Sequence, residues 1–130
     1  MDQLLPTAAC PCGSGKPFAD CCEPFLRGNA LPPTAEALMR SRYTAYTLMD
    51  EPYLLATWHP STRPATLDLN VSDQPQWIGL DVKRHEVEDE SHARVEFVAR
   101  YKVNGKAHRL IEVSRFVREE GRWFYVGAYT

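Results

Sequence analysis

All four cysteines of the chain lie between positions 10 and 22, as Cys10-Pro11-Cys12-Gly13-Ser14-Gly15 and then Asp20-Cys21-Cys22. No other feature constrains the fold as much. A segment of about thirty residues cannot enclose an adequate apolar core, so something besides burial must hold its shape. Four thiolates drawn from two short pairs can do this by forming a closed, tetrahedral, all-sulfur site of the structural-zinc kind. Such close spacing needs sharp backbone turns. Gly13 and Gly15 supply them, because glycine accepts positive φ and lets backbone N–H groups face thiolate sulfur. Pro11 stiffens the first pair.

A disulfide framework fits less well. The first nine residues carry no basic n-region and no apolar h-region, so no export signal is read there. In a reducing compartment, clustered cysteines bind metals or perform catalysis more often than they cross-link. A C-x-x-C pair beside a βαβ pattern, the sign of a dithiol oxidoreductase, is absent. A reactive or oxidised cysteine cluster stays open as the alternative to metal.

Charge narrows the partners. The chain has 15 Lys and Arg against 17 Asp and Glu, a formal net charge of −2. A zinc tetrathiolate makes that more negative, which argues against nucleic-acid or anionic-membrane binding. No uninterrupted apolar stretch approaches the roughly 18 residues of a membrane span. The expectation is a soluble, cytoplasmic protein.

The expected organisation is residues 1–32 as knuckle and linker, ending in Arg27-Gly-Asn-Ala-Leu-Pro-Pro33, and residues 33–130 as one α+β domain. Thr34 is a good N-cap for a helix running to about Met49, with an apolar stripe of Ala35, Leu38, Met39, Ala45, Tyr46 and Met49. Asp50 caps a second, short helix through Trp58, with Pro52 in its first turn. Residues 59–76 hold Pro60, Pro64 and Pro75 and read as irregular. From Trp77 the period changes to two, giving strands at about 77–88, 93–103, 107–118 and 122–129. Two helices followed by an antiparallel meander place helices on one sheet face.

The turns fix a register. A two-residue loop at Asn104-Gly105 pairs 103 with 106, and so 97 with 112, 99 with 110 and 101 with 108. The same logic at Glu120-Gly121 pairs 116 with 125, 114 with 127 and 112 with 129. One face then carries Val95, Phe97, Ala99, Tyr101, Leu110, Phe116, Tyr125 and Tyr129. The other carries Val98, Ile111, Val113, Val117, Phe124 and Val126. Helices can cover only one face, so the second is expected to meet the knuckle or another copy of the chain in a homodimer.

Glu112 interrupts the aromatic face, and Arg42 sits in a gap of the helix stripe. They are expected to meet, with Tyr46, His59 or Tyr101 nearby. The pair is either the polar base of a ligand pocket or a buried ion pair that fixes helix against sheet. His59, in Thr57-Trp-His-Pro-Ser61, is either a pocket base or a residue packed at a helix end. His85, His92 and His108 lack metal-ligand spacing and read as exposed; His108 faces Tyr101 as a rim pair. Arginines interleaved with glutamates read as a salt-bridged sheet surface. No P-loop, dinucleotide fingerprint, G-x-S-x-G or H-E-x-x-H occurs.

The run CPCGSGKPFADCC (residues 10–22) resembles the SEC-C motif, the zinc knuckle named from the C-terminal tail of the SecA translocation ATPase. With LMRSRYTAY (38–46), TWHPS (57–61), FVARY (97–101), EVSRF (112–116) and RWFYVGAY (122–129), nearly the whole chain resembles the YchJ-type (UPF0225) family of bacterial proteins. That resemblance implies Zn²⁺ as a structural ion on Cys10, Cys12, Cys21 and Cys22. It also implies a cone-shaped, nuclear-transport-factor-like (cystatin-like) α+β domain from about residue 33. SEC-C knuckles are commonly lysine-rich and the SecA tail binds the SecB chaperone, whereas here Lys16 is followed by Pro17, Ala19, Asp20 and Glu23. Longer relatives carry a second, C-terminal knuckle. The implied function is a protein-interaction module with a translocation- or chaperone-related partner. The alternative is a small-molecule binder or enzyme with an acid–base pocket inside the cone.

Overall fold

Capping chemistry starts the helices of the computed structural model, which describes residues 5, 7–67, 69 and 75–128. A single turn, α1 (Glu23–Leu26), follows directly on Cys22. The main helix α2 (Ala35–Thr47) opens at Thr34, whose hydroxyl accepts the Ala37 N–H at 3.0 Å. The short α3 (Glu51–Ala56) opens at Asp50, whose carboxylate accepts the Tyr53 N–H at 3.2 Å. These are the two N-caps expected from sequence, each satisfying a donor that has no intrahelical partner.

Four antiparallel strands follow in sequence order across one sheet: β1 (Gln76–Asp89), β2 (His92–Val103), β3 (Lys106–Glu119) and β4 (Arg122–Ala128). Asn104 and Gly105 have φ of 52° and 79°, and Glu120 and Gly121 have 51° and 81°, the left-handed pair that a two-residue hairpin with matching twist requires. The first loop sets the register Val103↔Lys106, Phe97↔Glu112, Ala99↔Leu110 and Tyr101↔His108, as expected.

The second hairpin departs from its ideal. Phe116 pairs with Tyr125, but the next pairs are Arg115↔Gly127 and Ser114↔Ala128 rather than 114 with 127. A β-bulge leaves Val126 as the extra residue, and bulges shift register without changing the loop. The expected pairing of 112 with 129, and the place given to Tyr129 on the aromatic face, lie outside the described residues.

The inner face is the aromatic one. Val95, Phe97, Ala99 and Phe116 are buried beneath Leu38, Met39 and Tyr43 of α2. The described residues of the knuckle do not cover the outer face, contrary to one of the two expectations for it. Instead Cys10, Cys12, Phe18 and Cys22 join the same apolar core as Leu38, Tyr43 and Leu80, on the helix side of the sheet. The outer face leaves Ile111 65% exposed and carries ion pairs such as Arg100–Asp81 at 2.9 Å and Arg94–Glu86 at 2.7 Å.

The free edge of β4 is closed by the segment after α3. His59 N–H donates to the Tyr125 carbonyl, and Tyr125 N–H donates to the Thr57 carbonyl, both at 2.8 Å. The bridge Trp58↔Tyr125 is parallel, so residues 57–59 act as a short fifth edge.

The face assignment makes a measurable difference. Phe116→Ala should cost about 3–5 kcal/mol in urea unfolding, whereas Ile111→Ala should stay within about 0.5 kcal/mol. Comparable losses for both would reverse the two faces.

Candidate metal centre and pocket

The knuckle is built as a small hairpin. Phe18 N–H donates to the Ala8 carbonyl at 2.8 Å and Cys10 N–H to the Lys16 carbonyl at 3.0 Å, which places Cys10 to Gly15 at the tip. Gly13 and Gly15 have φ of 78° and 87°, as the sequence predicts. Gly13 is constrained twice, because a Cβ there would lie 3.0 Å from the Leu80 carbonyl oxygen. The knuckle tip therefore lies directly on β1.

This hairpin and the turn Phe18–Asp20 bring all four Sγ atoms within 4.8 Å of one another. Cys12 and Cys21 are 3.5 Å apart, and Cys21 and Cys22 3.9 Å. A tetrahedron with Zn–S bonds of about 2.3 Å has sulfur–sulfur edges of about 3.8 Å. The cluster thus has the size of a tetrathiolate metal site, and all four cysteines are free rather than disulfide-bonded. Cys10, Cys12 and Cys22 are buried, and Cys21 is half-buried.

Hydroxyls surround the sulfurs. Thr44 Oγ1, from α2, lies 3.4 Å from Cys22 Sγ and 3.7 Å from Cys10 Sγ, and Ser14 Oγ lies 3.1 Å from Cys21 Sγ. Arg40 donates from Nη1 to the Cys12 carbonyl at 2.8 Å and from Nε to Glu36 at 3.0 Å. Among the free thiols, hydrogen bonds from Cys10 and then Cys22 hold Cys12 far below the usual thiol range. Hydrogen bonds to Cys10 and Cys12 push Cys22 far up, and burial pushes Cys21 up to about 11. The thiols thus compete for protons within one cluster. A bound divalent cation removes that competition, because a coordinated thiol is deprotonated outright.

A second feature lies across α2. A cavity of about 260 Å³ opens between the helix and the inner sheet face. Its walls are Tyr43, Tyr46, Trp77, Phe97, Phe116 and Tyr125, with Met39, Ala99 and Leu110; its polar members are Arg42, Glu112 and Ser114. Glu112 accepts from Ser114 Oγ at 2.6 Å and from the Tyr125 hydroxyl at 3.4 Å. Burial, reinforced by the Glu112 charge, pushes the Tyr125 phenol up to about 12, so it remains a donor. Arg42 is only 5% exposed. Its Nη1 donates to the Leu54 carbonyl and to Thr57 Oγ1, both at 2.7 Å. Its guanidinium lies 4.4 Å from the Tyr125 ring centre and 5.1 Å from that of Trp58. Burial lowers its pKa to about 10, which leaves it cationic at neutral pH.

Arg42, Tyr46 and Glu112 line one cavity, but Arg42 and Glu112 do not form the expected ion pair. Tyr125 stands between them, its ring face toward Arg42 and its hydroxyl on Glu112. His59 is not in the cavity. Its Nε2 lies 2.9 Å from Glu119 and its Nδ1 2.8 Å from Ser61, with its ring edge-on to Phe124 of the outer face. Alternation along the bridged segment 57–59 explains this: Trp58 packs inward on Tyr125, so His59 turns outward.

Tyr101 does not line the cavity either. It lies one ring further out, 5.3 Å from Trp77, and stacks on His108, also at 5.3 Å. His85 is half-buried, contrary to the solvent exposure expected; its Nδ1 lies 3.8 Å from Glu36 and its buried Nε2 has no hydrogen-bond partner among the described residues. Sequence reasoning missed Thr44, Ser14 and Arg40 around the sulfurs, and Trp77 and Ser114 in the cavity. Thr44 lies one helical turn after Arg40 on α2, so the two reach the knuckle from the same side of the helix.

Two family models match the chain: YchJ, middle NTF2-like domain, over residues 34–128, and the SEC-C motif over residues 7–24. The chain belongs to the UPF0225 family. It is 59% identical to a UPF0225 protein of Ralstonia nicotianae, over 93% of this chain and 90% of the relative. It is 60% identical to one of Chromobacterium violaceum, over 92% and 90%. The solution structure of a SEC-C motif containing protein from Rhodopseudomonas palustris superposes with a TM-score of 0.84 at 35% identity, covering 95% of this chain and 98% of that one. A crystal structure of a SEC-C motif containing protein from Psychrobacter arcticus gives 0.80 at 28% identity, covering 93% and 81%. This UPF0225 protein is therefore an α+β protein with an NTF2-like domain and, within its SEC-C motif, four close cysteines suited to a metal. Among the described residues no helix is long and apolar enough to cross a membrane.

The hydroxyl at Thr44 gives a direct test of the sulfur site. Thr44→Val keeps the volume but removes the contact to two sulfurs, and should lower metal affinity about 10–100-fold in chelator competition. Because the sulfurs share a core with Leu38 and Tyr43, chelation should also lower the thermal midpoint followed by tryptophan fluorescence. An unchanged midpoint would show that the knuckle and the cone melt independently.

Proposed function

We propose that this UPF0225 protein is a zinc-stabilised binding protein, in which the knuckle is structural and the cone cavity receives a small organic molecule. Zn²⁺ held by Cys10, Cys12, Cys21 and Cys22 has all four positions filled by sulfur, so it serves shape and not reaction. The observation that carries the reading is the cavity itself. Aromatic walls with a few convergent polar groups, Arg42, Glu112 and Ser114, are the usual makeup of a small-molecule site. With His59 on the outer face, the histidine considered as a pocket base does not line the cavity, so the reading stops at binding.

The test is a ligand-observed NMR screen of aromatic fragments against zinc-loaded protein and a Leu110→Trp variant. Leu110 lines the cavity while remaining 38% exposed, so an indole there should plug the mouth without disturbing the core. Binders should be lost in the variant. Binders that persist there would place the site elsewhere. Elemental analysis of reduced protein should give one zinc per chain, and close to none after Cys12→Ser.

A second reading, docking of a protein partner through the knuckle, is favoured by the SEC-C match at residues 7–24 and by the half-exposure of Cys21. Affinity capture comparing the native chain with one lacking all four cysteines tests it: equal capture would remove the knuckle as a docking surface.

A further inference from the structure

Arg42 is placed where a cation is costly, and its protein contacts use only part of it. Both of its hydrogen bonds leave from Nη1. Nε and Nη2 make no hydrogen bond among the described residues, although the side chain is 5% exposed and lines the cavity. Among the described residues no carboxylate pairs with it: Glu112 is held by Ser114 and Tyr125 instead. A buried guanidinium is stabilised only by pairing and by filling its donors, and its planar fork fits a carboxylate edge to edge. The ring stacking on Tyr125 and Trp58 fixes the guanidinium plane, so the unused edge is held in position.

The rest of the cavity limits what the anion is attached to. At about 260 Å³ it falls just below the roughly 300–1,000 Å³ of drug-sized pockets, which suits a body of one ring. Tyr46, Trp77 and Phe97 supply ring faces for that body. Glu112 has acceptor capacity left after Ser114 and Tyr125, and so favours a hydroxyl or amine on the same ligand. It also repels a second carboxylate.

We infer that the cavity selects a small aromatic monocarboxylate bearing a hydroxyl or amine, with the carboxylate on the unused edge of Arg42 and the donor on Glu112. This rests on the cavity-binding reading given under Proposed function.

The experiment is calorimetric titration of zinc-loaded protein with 4-hydroxybenzoate, 4-hydroxybenzamide, benzoate and phenol, with NMR shifts to locate each. 4-Hydroxybenzoate should bind at least about tenfold more tightly than its amide, and more tightly than benzoate, with shifts at Tyr46, Trp77 and Leu110. Arg42→Met should abolish the acid-over-amide preference. Glu112→Gln should reduce the advantage of 4-hydroxybenzoate over benzoate while leaving benzoate little changed. If Arg42→Met does not fold, the acid–amide comparison in the native chain decides alone. Amide or phenol binding as tightly as the acid, with shifts in the cavity, would overturn the anion assignment and leave cavity binding standing. Failure of all four probes to shift cavity residues would overturn both.

Discussion

Residues 41–45 of α2 are buried in an unbroken run, and at about 3.6 residues per turn that leaves the helix no solvent face there. Three of the five are polar, so each must find a partner inside. Ser41 Oγ donates to the Leu38 carbonyl at 2.8 Å and lies 2.7 Å from the Tyr53 hydroxyl. Arg42 reaches the last turn of α3, and Thr44 reaches the sulfurs. The sheet, the knuckle and α3 each complete a different side of one helical turn. The fold is organised by that requirement more than by any single apolar contact.

The arrangement connects the sulfur site to the cavity without a chemical link between them. Arg40 and Thr44 project to the knuckle, while Arg42, Tyr43 and Tyr46, from the same two turns, line the cavity. Holding the sulfurs in place fixes the rotation of α2 about its axis, and with it the direction in which Arg42 points. On the proposed function, a metal on the four sulfurs would then influence cavity binding by setting side-chain geometry. The same core explains why the knuckle lies on the helix side of the sheet. Cys10, Cys12 and Phe18 are buried in the same cluster as Leu38 and Tyr43, whereas the outer face is interrupted by charged pairs.

How much of this could be read from the chain follows from which determinants are local. Asn104-Gly105 is a two-residue signal, and it alone set Phe97 opposite Glu112 and Tyr101 opposite His108. The caps at Thr34 and Asp50 are equally local. The bulge at Arg115–Phe116 has no local mark, since it answers to how β4 meets its neighbours. His59 lies on the outer face because residues 57–59 pair with Tyr125 and take strand alternation, whereas the expectation was a helix through Trp58 and an irregular segment after it. The missing Arg42–Glu112 pair has a different origin. Both residues were assigned to the right face, but a ring from β4 came between them, and only tertiary structure decides that.

The short α3 shows how the cavity wall is held. A six-residue helix is far below the length that is stable alone in water, so its stability must come from its ends and its packing. Asp50 satisfies its first turn, and the Arg42 cation sits at the carbonyl of Leu54 near its last. A cation there also complements the negative end of the helix dipole. Thr57, next in sequence, takes a second bond from Arg42 and gives its carbonyl to β4. Arg42 therefore joins α2, α3 and the sheet edge through one nitrogen. That structural duty accounts for Nη1 and for the stacking on Trp58 and Tyr125. It does not account for a cavity-lining residue whose Nε and Nη2 make no hydrogen bond among the described residues, where an apolar side chain would avoid the cost of burying charge.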